Sequence, residues 1–195
     1  MIIKPKEKKI IVPQVLCVEG KVRFVFEDKD GKKKTIINSN MVVDSGLAIL
    51  MQAIAWSGGN PAEEITGDPY IALGEVTIAG AVPAPDVSDV LLNDELPDIN
   101  YPRIEVEDAD VTRQNNVVIF EAMFNLDEGN PTAGKELCEA GLFWDDATST
   151  RETGNLVARV LIQPRKVKTN LQTLTVTWYI QLGRKPSSRR VLVYP

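Results

Sequence analysis

Thr173-Leu174-Thr175-Val176-Thr177-Trp178-Tyr179-Ile180-Gln181-Leu182 alternates large apolar side chains with hydroxyl and amide ones. An extended chain turns successive side chains to opposite faces. Leu174, Val176, Trp178, Ile180 and Leu182 therefore share one face, and Thr173, Thr175, Thr177 and Gln181 share the other. This is the pattern of an antiparallel strand with one face in a core and one toward water. Working back from it, strands are predicted at residues 171–182, 156–162, 137–144, 117–126 and 103–106, divided by turn-rich segments.

Nearer the start, Val22, Phe24 and Phe26 alternate, Asp30-Gly31 supplies a turn, and Thr35-Ile36-Ile37 returns the chain as a hairpin. Asp28, Asp30 and Gly31 resemble a fragment of a calcium loop, but Lys29, Lys32, Lys33 and Lys34 and the missing downstream glutamate favour the hairpin turn. From Asp44-Ser45 to Trp56, Leu47, Leu50, Met51 and Ile54 follow helical spacing, with Asp44 or Ser45 as N-cap and Gly58-Gly59 as the stop. That face is expected to pack across a sheet. Tyr70-Ile71-Ala72-Leu73-Gly74 reads as a short buried strand, followed by a loop through Pro83 and Pro85 and one helical turn at 88–93. The expected fold is mainly β, an antiparallel β-sandwich with one packed α-helix and extended terminal arms. The expected division is an N-terminal arm at 1–14, a single domain at 15–183 and a basic C-terminal arm at 184–195.

A chain of 195 residues is long enough for one sizeable core. Its 44% hydrophobic and 25% charged content is that of an ordinary globular domain, and no apolar run reaches bilayer-spanning length, so no membrane partner is expected. Met1-Ile2-Ile3-Lys4-Pro5-Lys6 lacks the apolar region of a signal peptide, which leads to an expectation of cytoplasmic synthesis. Cys17 and Cys138 lie far apart and read as two buried thiols, with a disulfide as the alternative should the fold join them. Charge is uneven: residues 1–34 carry ten Lys/Arg and five acids, 35–150 three and twenty-one, and 151–195 nine and one. A sequence pI near 4.9 argues against nucleic acid as the partner of the basic ends. Basic ends meeting a neighbour's acidic body would instead favour a homo-oligomer.

The chain has no histidine, which removes the commonest general base and metal ligand. No catalytic, cofactor or metal site is expected. Glu105, Glu107, Asp108 and Asp110 cluster, as do Glu136 and Glu139, but nothing fixes a pair at the separation glycoside hydrolysis needs. No phosphate-binding glycine motif is present, and Cys138 lacks a base to activate it. Trp56, Trp144 and Trp178 read as core residues. The residues expected to meet partners are Arg165, Lys166 and Lys168, with Lys166 and Lys168 alternating onto one face of an extended segment, a solvated turn being the alternative. To these the tail adds Lys185, Arg189, Arg190, Val191, Val193 and Tyr194, either disordered or docked on another chain as an added strand.

Several blocks occur in a fixed order. They are Asn40-Met41-Val42-Val43-Asp44-Ser45-Gly46-Leu47, Tyr70-Ile71-Ala72-Leu73-Gly74, residues 85–95 with Arg103 behind them, Glu139-Ala140-Gly141-Leu142-Phe143, Asn155-Leu156-Val157-Ala158-Arg159, and Leu174-Thr175-Val176-Thr177-Trp178. Together they resemble a family of small virion structural proteins of tailed bacteriophages, found in tail fibres, baseplates and collars. The resemblance covers residues 38–182. It departs from the family pattern at Ser88-Asp89, where an aspartate-threonine pair is usual, and in the wide spacing from Glu95 to Arg103. It implies a scaffold with Leu47, Leu73, Leu142, Phe143 and Trp178 in the core and with Glu139 or Glu95 paired to Arg159 or Arg103. It further implies a virion location and partners among copies of itself and other phage virion proteins. Capsid decoration, a receptor- or glycan-binding fibre base that contacts a host receptor, and a carboxylate glycosidase are the alternatives.

Overall fold

The computed structural model describes residues 14–55 and 67–186. The alternating phenylalanines lie in β1 (Gln14–Asp28), which turns into β2 (Lys33–Val42). Gly31 holds φ +75° in that turn, a conformation that costs a Cβ-bearing residue and not glycine. Helix α1 (Asp44–Ala55) follows, then β3 (Tyr70–Thr77), β4 (Arg103–Glu105), β5 (Val111–Gln114), β6 (Val117–Phe124), β7 (Lys135–Trp144), β8 (Asn155–Lys166) and β9 (Gln172–Pro186). The strands form one antiparallel sheet in the order β4-β3-β7-β8-β2-β1-β9-β6-β5.

β2 is the joint of this sheet. It pairs with β1 from Gly20↔Asn40 to Glu27↔Lys33, and with β8 through Met41↔Arg159 and Val42↔Ala158. Where the two strands have separated, Asn38 bridges them: its Nδ2 donates to the Gln163 carbonyl (3.0 Å), and the Gln163 N–H donates to its Oδ1 (3.2 Å). The sheet curls at this joint into a half-barrel whose two halves pack as a sandwich. Phe24, Phe26, Phe120, Phe124, Val176 and Trp178 come from one half, and Ile71, Leu73, Leu142, Ala158, Val160 and Ile162 from the other. Trp144 of β7 meets Phe120 of β6 edge-on, with centroids 5.9 Å apart and rings at 78°. Each fully buried valine, leucine, isoleucine or phenylalanine among these contributes about 1.5–3 kcal/mol.

The single described helix lies on β8, but through a different face from the one its leucines suggest. Leu47 and Met51 are exposed, whereas Gly46 and Ile49 are buried. A Cβ on Gly46 would stand 2.0 Å from the Val157 carbonyl oxygen, so the missing side chain is what lets the helix sit down on the strand. Ser45 Oγ donates to the Leu156 carbonyl (2.7 Å) and ties the first turn to the same strand. Ile54 and Trp56 fall outside the described side chains.

Other expectations are also corrected. Residues 88–93 form no helical turn. Asp86 Oδ1 accepts from the Ser88 N–H (3.0 Å) and hydroxyl (2.6 Å), and Asp89 Oδ2 accepts from the Asp86 N–H (2.9 Å), so side chains take the groups a helix would use. β5 was not expected, because Val111–Gln114 is largely exposed and carries no alternation. β9 runs on to Pro186, so Arg184, Lys185 and Pro186 lie in the sheet opposite Leu16, Val15 and Gln14. The rest of the proposed arms, 1–13 and 187–195, lies outside the described residues.

Replacing Gly46 by alanine should cost about 1–3 kcal/mol, the range for overpacking a tight contact, while Leu47→Ala should cost less than about 1 kcal/mol. Urea midpoints of the two variants check this, and the opposite order would contradict the packing of α1.

Candidate assembly surface

The outer face of β3, β7 and β8 is roofed by the long segment 78–102 and holds charges where apolar side chains are usual. Gly74 and Gly141 have no side chains on it, and Ala72, Phe143, Leu156, Val43 and Leu92 pack around them as a second small core. Into the space above Gly74 reaches Glu139 of β7, which is fully buried; a Cβ on Gly74 would lie 2.5 Å from its Cγ. Arg159 of β8 meets it with Nε to Oε2 at 2.7 Å, and the same guanidinium reaches Asp89 (2.7 Å) and the Pro83 carbonyl (3.3 Å) in the roof. The Asp94 N–H donates to the other Glu139 oxygen at 3.1 Å.

A second buried pair lies beside the first. Arg103 of β4 grips Glu95 with Nε and Nη2 at 2.5 and 2.9 Å, and its Nη1 donates to the Thr153 carbonyl at 2.6 Å. Its guanidinium carbon stands 4.1 Å from the centroid of the Phe143 ring, a cation–π contact. The sequence left open which acid meets which arginine; Glu139 takes Arg159 and Glu95 takes Arg103. The third knot was not foreseen. Lys135 Nζ bridges Glu75 (2.8 Å) and Asp94 (3.1 Å), and Thr132 donates to Glu75 through its N–H and its hydroxyl. Burial alone would raise the Glu75 carboxyl, but the bonds from Lys135 and Thr132 outweigh it and hold the group below the ordinary carboxylate range.

These contacts pin the roof at Pro83, Asp89, Asp94 and Glu95. They present Ile78, Val87, Val90, Leu91, Ile99 and Tyr101, all exposed, on a fixed backbone.

The basic run divides into different roles. Arg165 Nη1 donates to the Gly80 carbonyl (2.7 Å) and lies 3.3 Å from Glu136, so it braces the start of the roof. Lys166 is half-buried at the end of β8 against Lys34 of β2. The Lys34 amine beside it, together with burial, holds its pKa below the ordinary lysine value. Lys168 corrects the expectation of a shared face: it is only 1% exposed, and its Nζ donates to the Asn125 carbonyl (2.7 Å), the Leu126 carbonyl (3.3 Å) and Asn130 Oδ1 (3.0 Å). Burial pushes its pKa down to about 8, opposed by Glu128 and Asp127. It closes the loop after β6 and offers nothing to a partner. Lys185 lies on β9 opposite Val15, while Arg189, Arg190, Val191, Val193 and Tyr194 fall outside the described residues.

The sheet leaves two features unused. β1 pairs with β9 over its whole length, Gln14↔Pro186 to Asp28↔Gln172, but β2 leaves it at Gly20 and β6 pairs with β9 only up to Gln181. Residues 14–18 and 183–186 thus form a two-stranded ribbon that outruns its neighbours on both sides among the described strands. Below it, on the outer face across β2, β1, β9 and β6, lies a groove of about 870 Å³ lined by Glu19, Lys21, Arg23, Ile37, Ser39, Val117, Tyr179 and Gln181. The Asn40 amide lies against Gly20, with Nδ2 and Oδ1 both buried and without a partner.

The acids that could have served catalysis are otherwise engaged or outward. Glu139 and Glu136 face arginines, Glu105 accepts from the Tyr70 hydroxyl (2.9 Å), and Asp108 and Asp110 sit on an exposed 3-10 turn. Cys138 is a buried free thiol whose pKa burial, then Glu139, raises to about 12. The Cys17 side chain is outside the described ones. No cluster among the described residues could hold a metal ion.

Two outcomes follow for the charges. Arg159→Met leaves Glu139 buried without its cation and should destabilise the fold by about 3–5 kcal/mol, while Lys166→Met should stay within about 0.5 kcal/mol; denaturant titration of both variants checks the contrast. Because the folded Glu75 carboxyl titrates below the ordinary glutamate value of 4.5, the unfolded chain binds more protons as the pH falls past that value. The contribution of Glu75 is therefore complete above its unfolded pKa and lost as pH falls through the folded one. The stability gap between the wild type and Glu75→Gln should be constant near neutrality and shrink below about pH 4.5, as read from urea midpoints across acid pH.

No family model matches this chain, and no curated protein or solved structure is similar to it at a significant level, so the likeness to tailed-phage virion proteins rests on the ordered residues alone.

Proposed function

We propose that the chain is a non-enzymatic structural subunit of a tailed-phage particle, made in the host cytoplasm and assembled in several copies in the tail, neck, collar or baseplate. The observation that carries the assembly part is the β1–β9 ribbon, whose backbone edges have no strand partner among the described residues. An open edge is a template for another strand; on the β9 side Arg184, Lys185 and Pro186 blunt it, whereas the β1 side carries Val15, Leu16, Cys17 and Val18 without a charge. The placement in a phage particle is supported by the ordered sequence blocks, whose residues occupy the roles a scaffold needs. Leu73, Leu142, Phe143 and Trp178 fill cores, and Glu139 and Arg159 lock the roof.

The exposed apolar residues of the roof give the same subunit a second contact surface for other virion proteins. Its backbone is held by buried ion pairs, so little ordering entropy is lost on binding. The acidic body and basic ends would set orientation and association rate more than total affinity.

Sedimentation of the purified full chain should show mass rising with concentration. A chain that stays monomeric at every concentration, or that cleaves a host polysaccharide, would overturn this reading.

A further inference from the structure

We infer that the open edge of β1, residues 14–18, pairs antiparallel with the same edge of a second copy of this chain, about a twofold axis at Leu16. This inference rests on the assembly reading and names its surface, partner and register.

The direction of the backbone groups decides which of them are available. In the β1–β2 ladder the Asp28 N–H donates to the Lys32 carbonyl (3.0 Å), and the register runs without a bulge from Glu27↔Lys33 to Gly20↔Asn40. Alternate residues of an antiparallel strand turn their N–H and C=O to the same side, so the even residues of β1 face β2. The pairing with β9 is equally regular down to Gln14↔Pro186 and carries the alternation past the point where β2 stops. Gln14, Leu16 and Val18 therefore turn their N–H and C=O groups to a side on which no described strand lies, while Val15 and Cys17 face β9.

The other side of the ribbon is built differently. There the Leu182 N–H donates to the Asn116 carbonyl (2.9 Å), and Asn116 Nδ2 donates to the Leu182 carbonyl (2.5 Å). Beyond this pair Arg184 and Pro186 are the residues of β9 that turn outward; one is charged and the other has no N–H. From Gln14 to Val18 the β1 edge has neither a charge nor a proline.

A second copy of this edge is complementary to it at one register. With Leu16 opposite its own counterpart, Gln14 of each copy falls opposite Val18 of the other, so every open N–H meets an open C=O. Moving the axis to Cys17 would bring Gln14 against Gly20, which is already paired with Asn40. Moving it to Val15 would leave Val18 opposite no described residue. No like charges oppose each other at the Leu16 register. Such an isologous contact closes on two copies, so any larger assembly has to use another surface.

The test uses the full chain. Leu16→Pro removes an N–H from the open side and none from the ladder with β9. Sedimentation of the wild type should rise from monomer to dimer mass with concentration, and Leu16→Pro should weaken that association about tenfold or more. Under mild oxidation a disulfide between copies should form about tenfold faster in Leu16→Cys/Cys17→Ser, whose thiols oppose each other, than in Val18→Cys/Cys17→Ser, whose thiols oppose Gln14. Cys138 is buried and stays out of this reaction, and the cysteine pair decides the matter even where the proline chain fails to fold. Association unchanged by Leu16→Pro, with no faster crosslinking at position 16, overturns the edge contact and leaves the assembly reading standing. Faster crosslinking at 18 than at 16 overturns the register. Slow amide exchange at Leu16 and Val18 in a dilute monomer means that the chain's own preceding residues hold the edge, which overturns the second copy as occupant. A chain that is monomeric at every concentration overturns both readings.

Discussion

β2 has to serve two neighbours, and most of the architecture follows from that. Its first eight residues complete a ladder with β1, and its last two join β8. A flat sheet cannot satisfy both, so the strands splay, Asn38 fills the gap with its own amide, and the sheet bends until its halves share a core. Sheet curvature and an edge of β1 left without a partner among the described residues therefore have one cause. The strand that would have covered residues 14–18 is used to close the other half.

Bending the sheet buries β7 and β8 on both faces, which explains the charges found there. Desolvating Glu139 and Arg159 costs several kcal/mol per ion, and an apolar pair of the same volume would often be as stable. What an apolar pair would lack is direction. Arg159 reaches Asp89 and the Pro83 carbonyl, and Arg103 reaches Glu95 and the Thr153 carbonyl, so these ions select one path for a roof whose one helical piece is the short 3-10 turn Asp98–Asn100. Gly74 makes room for Glu139, and Gly141 for Phe143, Leu156 and Leu92, by leaving the outer face of the sheet vacant.

Legibility in the sequence tracked solvent. β9, β6 and the β1–β2 hairpin each have one wet face, so their alternation was visible and their assignment stands. β7 and β8 are dry on both faces, yet their apolar runs were still recognisable as strands. The helix was found but misphased, because the residue in closest contact is Gly46, which has no apolar side chain to register in a periodicity. Lys168 was misread for a related reason. Lysine is almost always exposed, and the three acceptors that draw it inward come from residues 125–130, about forty positions earlier in the chain. The ribbon and the groove had no local signal at all, since they result from where neighbouring strands stop.

The first and last strands of the described chain are partners over fifteen residue pairs in the interior of the sheet. This pairing has nearly the largest sequence separation the chain allows, and loop closure over such distances makes folding slow. On the ribosome, β1 and β2 emerge before the other described strands and hold an incomplete sheet until β9 is released, so the core closes only after β9 has been made. Folding is thereby timed: no chain can present its finished ribbon before β9 has arrived.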